Sequence, residues 1–430
     1  MGVDVLVVGS GAREHALAWK LSQSARIGKL FAAPGNPGIA SVAECVSIAV
    51  GNLDGLVEFA AAQKVGFVVV GPEVPLAAGL ADRLAAAGIA TFGPTAAAAR
   101  IESSKAYARD VMTRMGVPQP EYATFTTSPE ALAYLDRLAA AGAVGAVVKA
   151  SGLAAGKGAI VCDTLDAARD AVRELMEEGT LGAAGDEVVI EELLVGEEAS
   201  LFVLTDGRDA IPLVPAQDYK RVADGDAGPN TGGMGSYAPA PVLSADLIAE
   251  AMERVVRPTL RGLAEDGAPF QGCLYAGLMK TATGLKVIEF NCRFGDPETE
   301  VVLPLLESDL LELLQACAEG RVAGAEVAWK PGCAVTVVLA SGGYPGSYET
   351  GKPIGGLEAA GALPGVVVFH AGTASKAGEV VTAGGRVLAV SATGASFAEA
   401  IDRAYAGVAE IHFEGQHCRT DIAARVRATD

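Results

Sequence analysis

The apolar positions in the N-terminal part of the chain fall into short blocks whose period keeps switching. Residues 3–9 (VDVLVVG) are almost continuously apolar and predict a buried strand, whereas 12–24 (AREHALAWKLSQS) repeat with helical spacing. Residues 29–38 read as a strand and turn, 56–63 (LVEFAAAQ) as a helix, 65–73 (VGFVVVGPE) as a strand and 76–88 (LAAGLADRLAAAG) as a helix. This alternation predicts an α/β fold: a parallel sheet with helices on both faces. Ligands of such a sheet lie beyond the carboxyl ends of its strands. Two glycine motifs, GSG at 9–11 and GPE at 71–73, follow strands and belong on that edge.

Further along, residues 103–116 (SSKAYARDVMTRMG) predict a helix capped by Ser103 or Ser104. Residues 125–190 read as a small α/β unit. It has a helix over 129–141, a strand at 145–150, a Gly-rich turn, a helix over 164–178 and a strand at 187–193. More strands and helices follow to 325, interrupted at 216–242 by a stretch without apolar periodicity. A loop of that length is more often functional than idle. Residues 326–430 are strand-rich and end in a helix over 397–411. A chain of 430 residues is too long for one core. The expected division is 1–102, 103–325 with a lid subdomain at about 125–190, and 326–430.

A period-two pattern stands out at 288–300 (IEFNCRFGDPETE). In an extended strand Glu289, Asn291 and Arg293 share one face, and Ile288, Phe290, Cys292 and Phe294 the other. Asn is depleted in strands, so the polar trio reads as oxygen ligands beside a fixed cation.

Charge then narrows the classes. A formal net charge of −19 argues against a sequence-independent nucleic-acid binder, which needs a basic face. Seven dispersed Cys without a CxxC pair suggest reduced thiols in a cytoplasmic protein. The four His show no HxxxH zinc spacing. No signal peptide is expected, and the apolar runs are too short for a membrane span.

Several motifs carry candidate chemistry. In KASGLAAGKG (149–158), Lys149 closes an apolar strand and Lys157 follows a glycine turn, a pattern suited to polyphosphate. It is not GxxxxGK[ST], so no P-loop is expected. Glu191 and Glu192 end the next apolar strand, where an extended backbone offers one donor and one acceptor to an adenine. Glu197 or Glu198 could hold ribose hydroxyls. In 217–237, Lys220 and Arg221 could engage phosphate or carboxylate, while Gly232, Gly233 and Gly235 would let a loop close over a site. GSGAREH (9–15) starts like GxGxxG, but Glu14 stands where the third glycine would pack. A helix N-terminus with Arg13 still suits a phosphate, and a phosphosugar is favoured over a dinucleotide. No GxSxG elbow appears, and His15 reads as a packing residue.

The order Lys105, Lys149, glycine loop, Glu191–Glu192 and Glu289-x-Asn291-x-Arg293 resembles the ATP-grasp superfamily. GSGAREHALAWK, GPEVPLAAGL, SSKAYARDVM, GLAAGKG, YKRVADGDAGPNTGGMGSYAPAP, IEFNCRFGDPETE and LASGGYPGSYETGKPI together resemble the glycinamide ribonucleotide synthetase (phosphoribosylamine–glycine ligase) family, from residue 3 to about 420. Three positions depart from the family pattern: Ala12 for glycine, Ser151 for aspartate and Tyr219 for histidine. The resemblance implies an ATP-grasp fold with a Rossmann-like N-terminal domain, a mobile lid and a strand-rich C-terminal domain. It implies ATP-driven joining of glycine to 5-phosphoribosylamine through a glycyl phosphate, with Mg²⁺ or Mn²⁺.

Under that reading Lys105, Lys149 and Lys157 hold phosphates, and Glu191, Glu192, Leu194 and Glu198 complete the ATP site. Glu289 and Asn291 hold the metal; the second acid common in the superfamily would fall in YAGLMK (275–280), which has none. Arg293 orients the glycine carboxylate or the transferring phosphoryl group, and Asp218 receives glycine's ammonium. Gly9, Gly11, Arg13 and Glu14 cradle the sugar phosphate, Glu73 takes ribose hydroxyls, and Lys220 and Gly233 belong to the closing loop. The C-terminal segment should complete the site from the side of the first domain. Partners would be small molecules only, in a monomer or weak homodimer, without nucleic acid or membrane. The readings set against this one are another carboxylate–amine ligase, a biotin carboxylase subunit, a dinucleotide-dependent oxidoreductase and a non-catalytic nucleotide sensor.

Overall fold

Continuous apolar runs become buried parallel strands. β1 (Val3–Gly9), β2 (Ile27–Pro34), β3 (Glu44–Cys45), β4 (Phe67–Val70) and β5 (Ala90–Phe92) pair in the order β3-β2-β1-β4-β5, every pair parallel. The computed structural model describes residues 2–154 and 158–428 of the chain. Val5, Leu6, Val7 and Val8 are fully buried, as a strand covered on both faces must be. Strand order reverses between β1 and β4, and that crevice is where an open α/β sheet takes its ligand. GSG follows β1 and GPE follows β4, so both motifs meet there as the periodicity predicts. The helix expected over 76–88 is instead two, Glu73–Ala77 and Leu80–Ala86. They break at Gly79, whose φ of +86° is a left-handed conformation that glycine adopts without strain.

The helix over 103–116 runs from Lys105 to Met115, and the capping choice falls on Ser104, whose hydroxyl accepts the Tyr107 N–H at 3.2 Å. Ser103 ends a separate helix, Ala96–Ser103. The lid is a sheet of β6 (Tyr122–Phe125), β7 (Ala146–Ala150), β8 (Ala159–Cys162) and β9 (Val188–Glu192) in the order β6-β9-β7-β8. It spans slightly more than the expected 125–190. Helices Ser128–Ala140 and Leu165–Met176 pack on it around a core of its own that includes Leu135, Val148, Val172 and Ile190.

The middle of the chain supplies β10 (Gly196–Thr205), β11 (Ala210–Pro212), β12 (Gln217–Asp218), β13 (Arg221–Ala223), β14 (Ala227–Asn230), β15 (Gly235–Ala238), β16 (Gly272–Thr281) and β17 (Gly284–Asn291). β11-β10-β16-β17 form one antiparallel sheet. The expected irregular stretch at 216–242 therefore contains four short strands. β13 and β14 make a hairpin, while β12 and β15 join the C-terminal sheet, β12-β15-β18-β22-β19. That sheet also takes β18 (Cys333–Ala340), β19 (Val366–His370) and β22 (Arg386–Gly394), and a hairpin of β20 (Thr373–Lys376) and β21 (Glu379–Thr382) projects beside it. The short strands lack apolar alternation because their partners lie far along the chain: Gly235 pairs with Val337. In space the C-terminal unit thus begins inside the 103–325 segment. Helix Phe397–Glu410 covers this sheet, close to the expected 397–411. The seven Cys are free, and among the described residues no helix is long and apolar enough to cross a membrane.

Candidate active site

The three sheets and the lid enclose a cavity of about 660 Å³, within the size range of small-molecule sites. Its floor is β17. Gly277 of β16 pairs with Glu289, yet Leu278 pairs with Val287, so Ile288 is an extra residue in the ladder. Such a bulge switches which parity faces inward. Leu285 and Val287 are buried before it; Phe290, Cys292 and Phe294 are buried after it. The sequence pattern put Ile288 on that apolar face, but Ile288 lines the cavity. The expected trio survives: Glu289, Asn291 and Arg293 all line the cavity, with Arg293 just beyond the strand end and its Nη2 donating to Asn291 Oδ1 at 3.0 Å.

At the end nearest the N-terminal sheet the cations are arginines anchored by carboxylates and backbone carbonyls. Arg293 donates Nε to Glu73 at 3.2 Å, Nη2 to Glu102 at 2.9 Å and Nη1 to the Phe294 carbonyl at 3.2 Å. Burial works against its charge, but Glu102 and Glu73 raise its pKa above the ordinary guanidinium value. Glu102 also accepts the Cys292 N–H at 2.7 Å, so it fixes both the arginine and the turn that carries it. Sequence reading missed Glu102; its place late in a helix gives no local signal. Glu73, expected on ribose hydroxyls, lines the cavity but already pairs with Arg293. Arg13 lines it too, held by Glu14 at 2.6 Å and by the Phe294 carbonyl at 3.2 Å.

Gly9, Gly11 and Glu14 do not line the cavity. Glu14 accepts the Gly11 N–H at 2.6 Å, and its side chain fills the space over Gly9 and Gly71, where a Cβ would meet it at 2.3 Å. The position left by a third glycine is thus closed to a pyrophosphate, and the dinucleotide reading loses its support. His15 is a packing residue as expected. Its Nδ1 accepts the His370 N–H at 2.8 Å, and burial, with His370 nearby, pushes its pKa down to about 3.

The far C-terminal part reaches the same end. Arg386 of β22 lines the cavity, pairs with Asp296 at 3.0 Å and donates to the carbonyls of Gly232 at 2.6 Å and Gly233 at 3.3 Å. Gly232 lines the cavity but Gly233 does not; the glycine loop is anchored on Arg386.

At the lid end the cations are lysines. Lys105, at the start of its helix, lines the cavity, and among the described residues its ammonium donates to none. Lys149 is only 3% exposed and donates to Glu191 at 2.9 Å and to the Ile288 carbonyl at 2.8 Å. Both Glu191 oxygens are taken, one by Lys149 and one by Arg109, so its carboxylate orients cations. Glu192 pairs with Lys286 at 2.8 Å, while Leu193 and Leu194, between β9 and β10, line the cavity. Lys157 lies outside the described residues.

Between the ends, Asp218, Lys220 and Glu198 line the cavity together, with Lys220 paired to Glu198. Burial raises the Asp218 carboxyl to about 7, against the pull of Lys220 and with Glu298 and Glu198 adding to the rise. Glu298, another residue the sequence reading left aside, accepts the Ser200 hydroxyl at 2.8 Å.

Comparison with known proteins assigns the family. Residues 3–102, 103–299 and 334–425 match the N domain, the ATP-grasp (A) domain and the C domain of phosphoribosylglycinamide synthetase. A phosphoribosylamine–glycine ligase of Rhizobium meliloti is 52% identical over 428 residues, covering 100% of both chains. The chain belongs to the phosphoribosylglycinamide synthetase family. A crystal structure of phosphoribosylamine–glycine ligase from Thermotoga maritima superposes with a TM-score of 0.82 at 32% identity, covering 97% of this chain and 100% of that one. The biotin carboxylase domain of Hydrogenobacter thermophilus 2-oxoglutarate carboxylase, solved with MgADP and bicarbonate, superposes with a TM-score of 0.70. At 17% identity, over 97% of this chain and 92% of that one, it shares the fold alone.

The three departures from the phosphoribosylglycinamide synthetase pattern now have places. Ala12 is buried in the first turn of its helix. The Ser151 hydroxyl accepts the Ala106 N–H at 3.2 Å and its carbonyl accepts the Lys105 N–H at 2.9 Å, so it seats the helix that carries Lys105. Tyr219 is buried outside the cavity wall. Its hydroxyl accepts from the Ala423 N–H at 3.0 Å and Arg425 Nε at 3.2 Å, with the Arg419 and Arg425 guanidiniums each 4.7 Å from its ring. An imidazole at that position would not face the cavity.

The donor set fits a divalent ion shared with a nucleotide. Burial would raise the Glu289 pKa, but Lys105, Lys149, Lys220 and Arg293 outweigh it and hold it at about 2, fully ionised. Among the described residues no hydrogen bond is made to that carboxylate. Opposite residues 289–291, β16 presents Gly277, Ala276 and Tyr275, none an acid. Among the described residues no group of three or more His, Cys, Asp or Glu could hold a metal by itself. One carboxylate and one amide beside a triphosphate is the arrangement that magnesium accepts.

Proposed function

We propose that the chain joins glycine to 5-phosphoribosylamine at the expense of ATP, giving glycinamide ribonucleotide, ADP and phosphate, a carbon–nitrogen ligation of purine biosynthesis. One observation carries the reading. A single cavity runs from Lys105 and the lid's Lys149, past Glu289 and Asn291, to the β1/β4 crevice, with Arg293 between. Nucleotide and phosphosugar can then meet over one carboxylate.

A carboxylate cannot expel oxide, so it must first be activated. A glycine carboxylate oxygen attacks the γ-phosphorus, ADP leaves, and a glycyl phosphate forms. The amine of phosphoribosylamine then attacks the acyl carbon, phosphate leaves and the amine loses a proton. Lys105, Lys149 and Lys157 hold the polyphosphate, and the segment Glu192–Leu194 receives the adenine, with Glu198 near its ribose. Glu289 and Asn291 would hold the divalent ion, which when bound neutralises charge on the transferring phosphoryl group. Mg²⁺ is the expected ion, with Mn²⁺ as substitute. Asp218 takes glycine's ammonium, and Arg293, locked by Glu73 and Glu102, presents its fixed charge to the carboxylate or to the transferring phosphoryl oxygens. Arg13 faces the sugar phosphate. A wet glycyl phosphate hydrolyses, so the lid closes before chemistry. A cytoplasmic monomer or weak dimer is expected.

The test is ADP release in the presence of glycine and phosphoribosylamine, with other amino acids and bicarbonate supplied in parallel. Release that depends on glycine and on the amine supports the reading. Release driven by bicarbonate, or none with glycine, overturns it.

A further inference from the structure

Arg109 does not itself line the cavity, yet it holds two residues that do, Glu191 and Ile288. It lies one turn after Lys105 on the same face of their helix. It is 2% exposed, and all three of its guanidinium nitrogens donate hydrogen bonds. Nε and Nη2 meet Glu191 Oε1 at 2.8 and 2.7 Å. Nη2 also donates to the Ile288 carbonyl at 2.7 Å, and Nη1 donates to the Val287 carbonyl at 3.2 Å and to Gln119 at 3.3 Å. The two carbonyls are those of the bulge that turns β17 toward the cavity. The other Glu191 oxygen and the same Ile288 carbonyl hold two of the three N–H donors of Lys149, at 2.9 and 2.8 Å.

Arg109, Glu191 and Lys149 are each no more than 3% exposed, and together they carry one net positive charge. A buried charge without a partner is costly. Here the excess sits on Lys149, which lines the cavity beside the ionised Glu289. A planar fork can span a carboxylate and two carbonyls at once; an ammonium cannot.

We infer that Arg109 is a positioning residue for nucleotide binding: through Glu191 and the Ile288 carbonyl it holds Lys149 in the one orientation that meets a phosphate. The inference rests on the ATP reading above. It differs from a role in general stability because its effect must pass through Lys149.

A double-mutant cycle tests this, with Arg109→Met, Lys149→Ala and the pair in the full chain. Mg·ADP dissociation constants and KM values for ATP and glycine are the readouts. Arg109→Met is expected to weaken Mg·ADP and raise the ATP KM about tenfold, with the glycine KM changed less than about twofold. In the Lys149→Ala background the same change should cost less than about twofold. Arg109→Lys, which keeps the charge and loses the fork, should behave as Arg109→Met. Equal losses in both backgrounds, full function in Arg109→Lys, or failure of both Arg109 variants to fold would each overturn the inference. A wild-type chain that binds no Mg·ADP overturns the functional reading itself; binding with an additive cycle overturns this inference alone.

Discussion

The two ends of the cavity meet the same demand, positive charge facing an anionic ligand, with different residues. At the N-terminal end stand Arg13, Arg293 and Arg386, each engaged by at least one carboxylate and one backbone carbonyl. At the lid end stand Lys105, whose ammonium has no partner among the described residues, and Lys149, with one donor to spare. Guanidiniums give five donors in a rigid plane and knit segments together; ammoniums are compact charges that follow a moving phosphate. The arginine end is fixed by its partners, whereas the lysine end, on the helix that starts at Lys105 and on β7 of the lid, keeps donors uncommitted. Between them the Glu289 carboxylate accepts no hydrogen bond among the described residues, and Asn291 Oδ1 accepts from Arg293 at 3.0 Å.

That contrast is broken or sharpened by substitution. The largest effect is expected at the midpoint. Glu289→Ala removes the ionised metal oxygen and should lower glycine-dependent ADP release by on the order of 10³, with an unchanged thermal unfolding curve. Retained turnover removes Glu289 from the metal site.

Next come the ends themselves. Arg293→Lys keeps a charge but leaves Glu73 and Glu102 imperfectly paired in a buried setting, so unfolding should cost about 3 kcal/mol less. Lys105→Ala should leave stability unchanged and raise the ATP KM about tenfold. If chemical denaturation shows Lys105→Ala to be as destabilising as Arg293→Lys, the contrast between fixed and uncommitted ends fails.

A pH profile probes the ground between. With Asp218 titrating at about 7, its carboxylate is protonated below that pH and loses its hold on an ammonium. The glycine KM should therefore rise as pH falls through 7, by up to about tenfold per unit. Asp218→Asn should show a raised but flat profile; a profile unchanged by the substitution would move the ammonium site elsewhere.

The smallest effect lies behind the arginine end. Glu300 is fully buried, and both its oxygens lack a partner among the described residues. Burial, with Asp296 nearby, pushes its carboxyl well above the ordinary range. Its proton is kept in the folded state and lost in the unfolded one. The contribution to stability is thus present below the ordinary pKa of about 4.3 and declines as pH rises toward the raised value. Glu300→Gln should stabilise the chain by about 1 kcal/mol or more near neutrality and by nothing at pH 4, measured by unfolding at both. Equal stability at both pH values would mean that Glu300 finds a partner in solution.

Much of this was legible in the residues. The apolar runs of β1 and β4, the helix that starts at Lys105 and the lid helices follow from periodicity, which is a local property. The Glu289-Asn291-Arg293 trio was visible because strand geometry is periodic over a few residues. Glu102, Arg109 and Arg386 were not. Each is an ordinary charged residue in its own segment, and its importance lies in a partner far along the chain, as when Arg386 meets Asp296. The stretch at 216–242 looked irregular for the same reason: β15 is a strand only because β18 lies beside it.

What the order of amino acids settled by itself is where apolar periodicity makes a helix or a strand, since that depends on neighbours within a turn or a pleat. Tertiary structure alone decided how the charges are divided into fixed and free. It put an extra residue at Ile288 so that two carbonyls turn toward Arg109, and it brought three arginines from distant segments to one wall. Buried charges must find partners wherever the fold brings them, and no local pattern records where that will be.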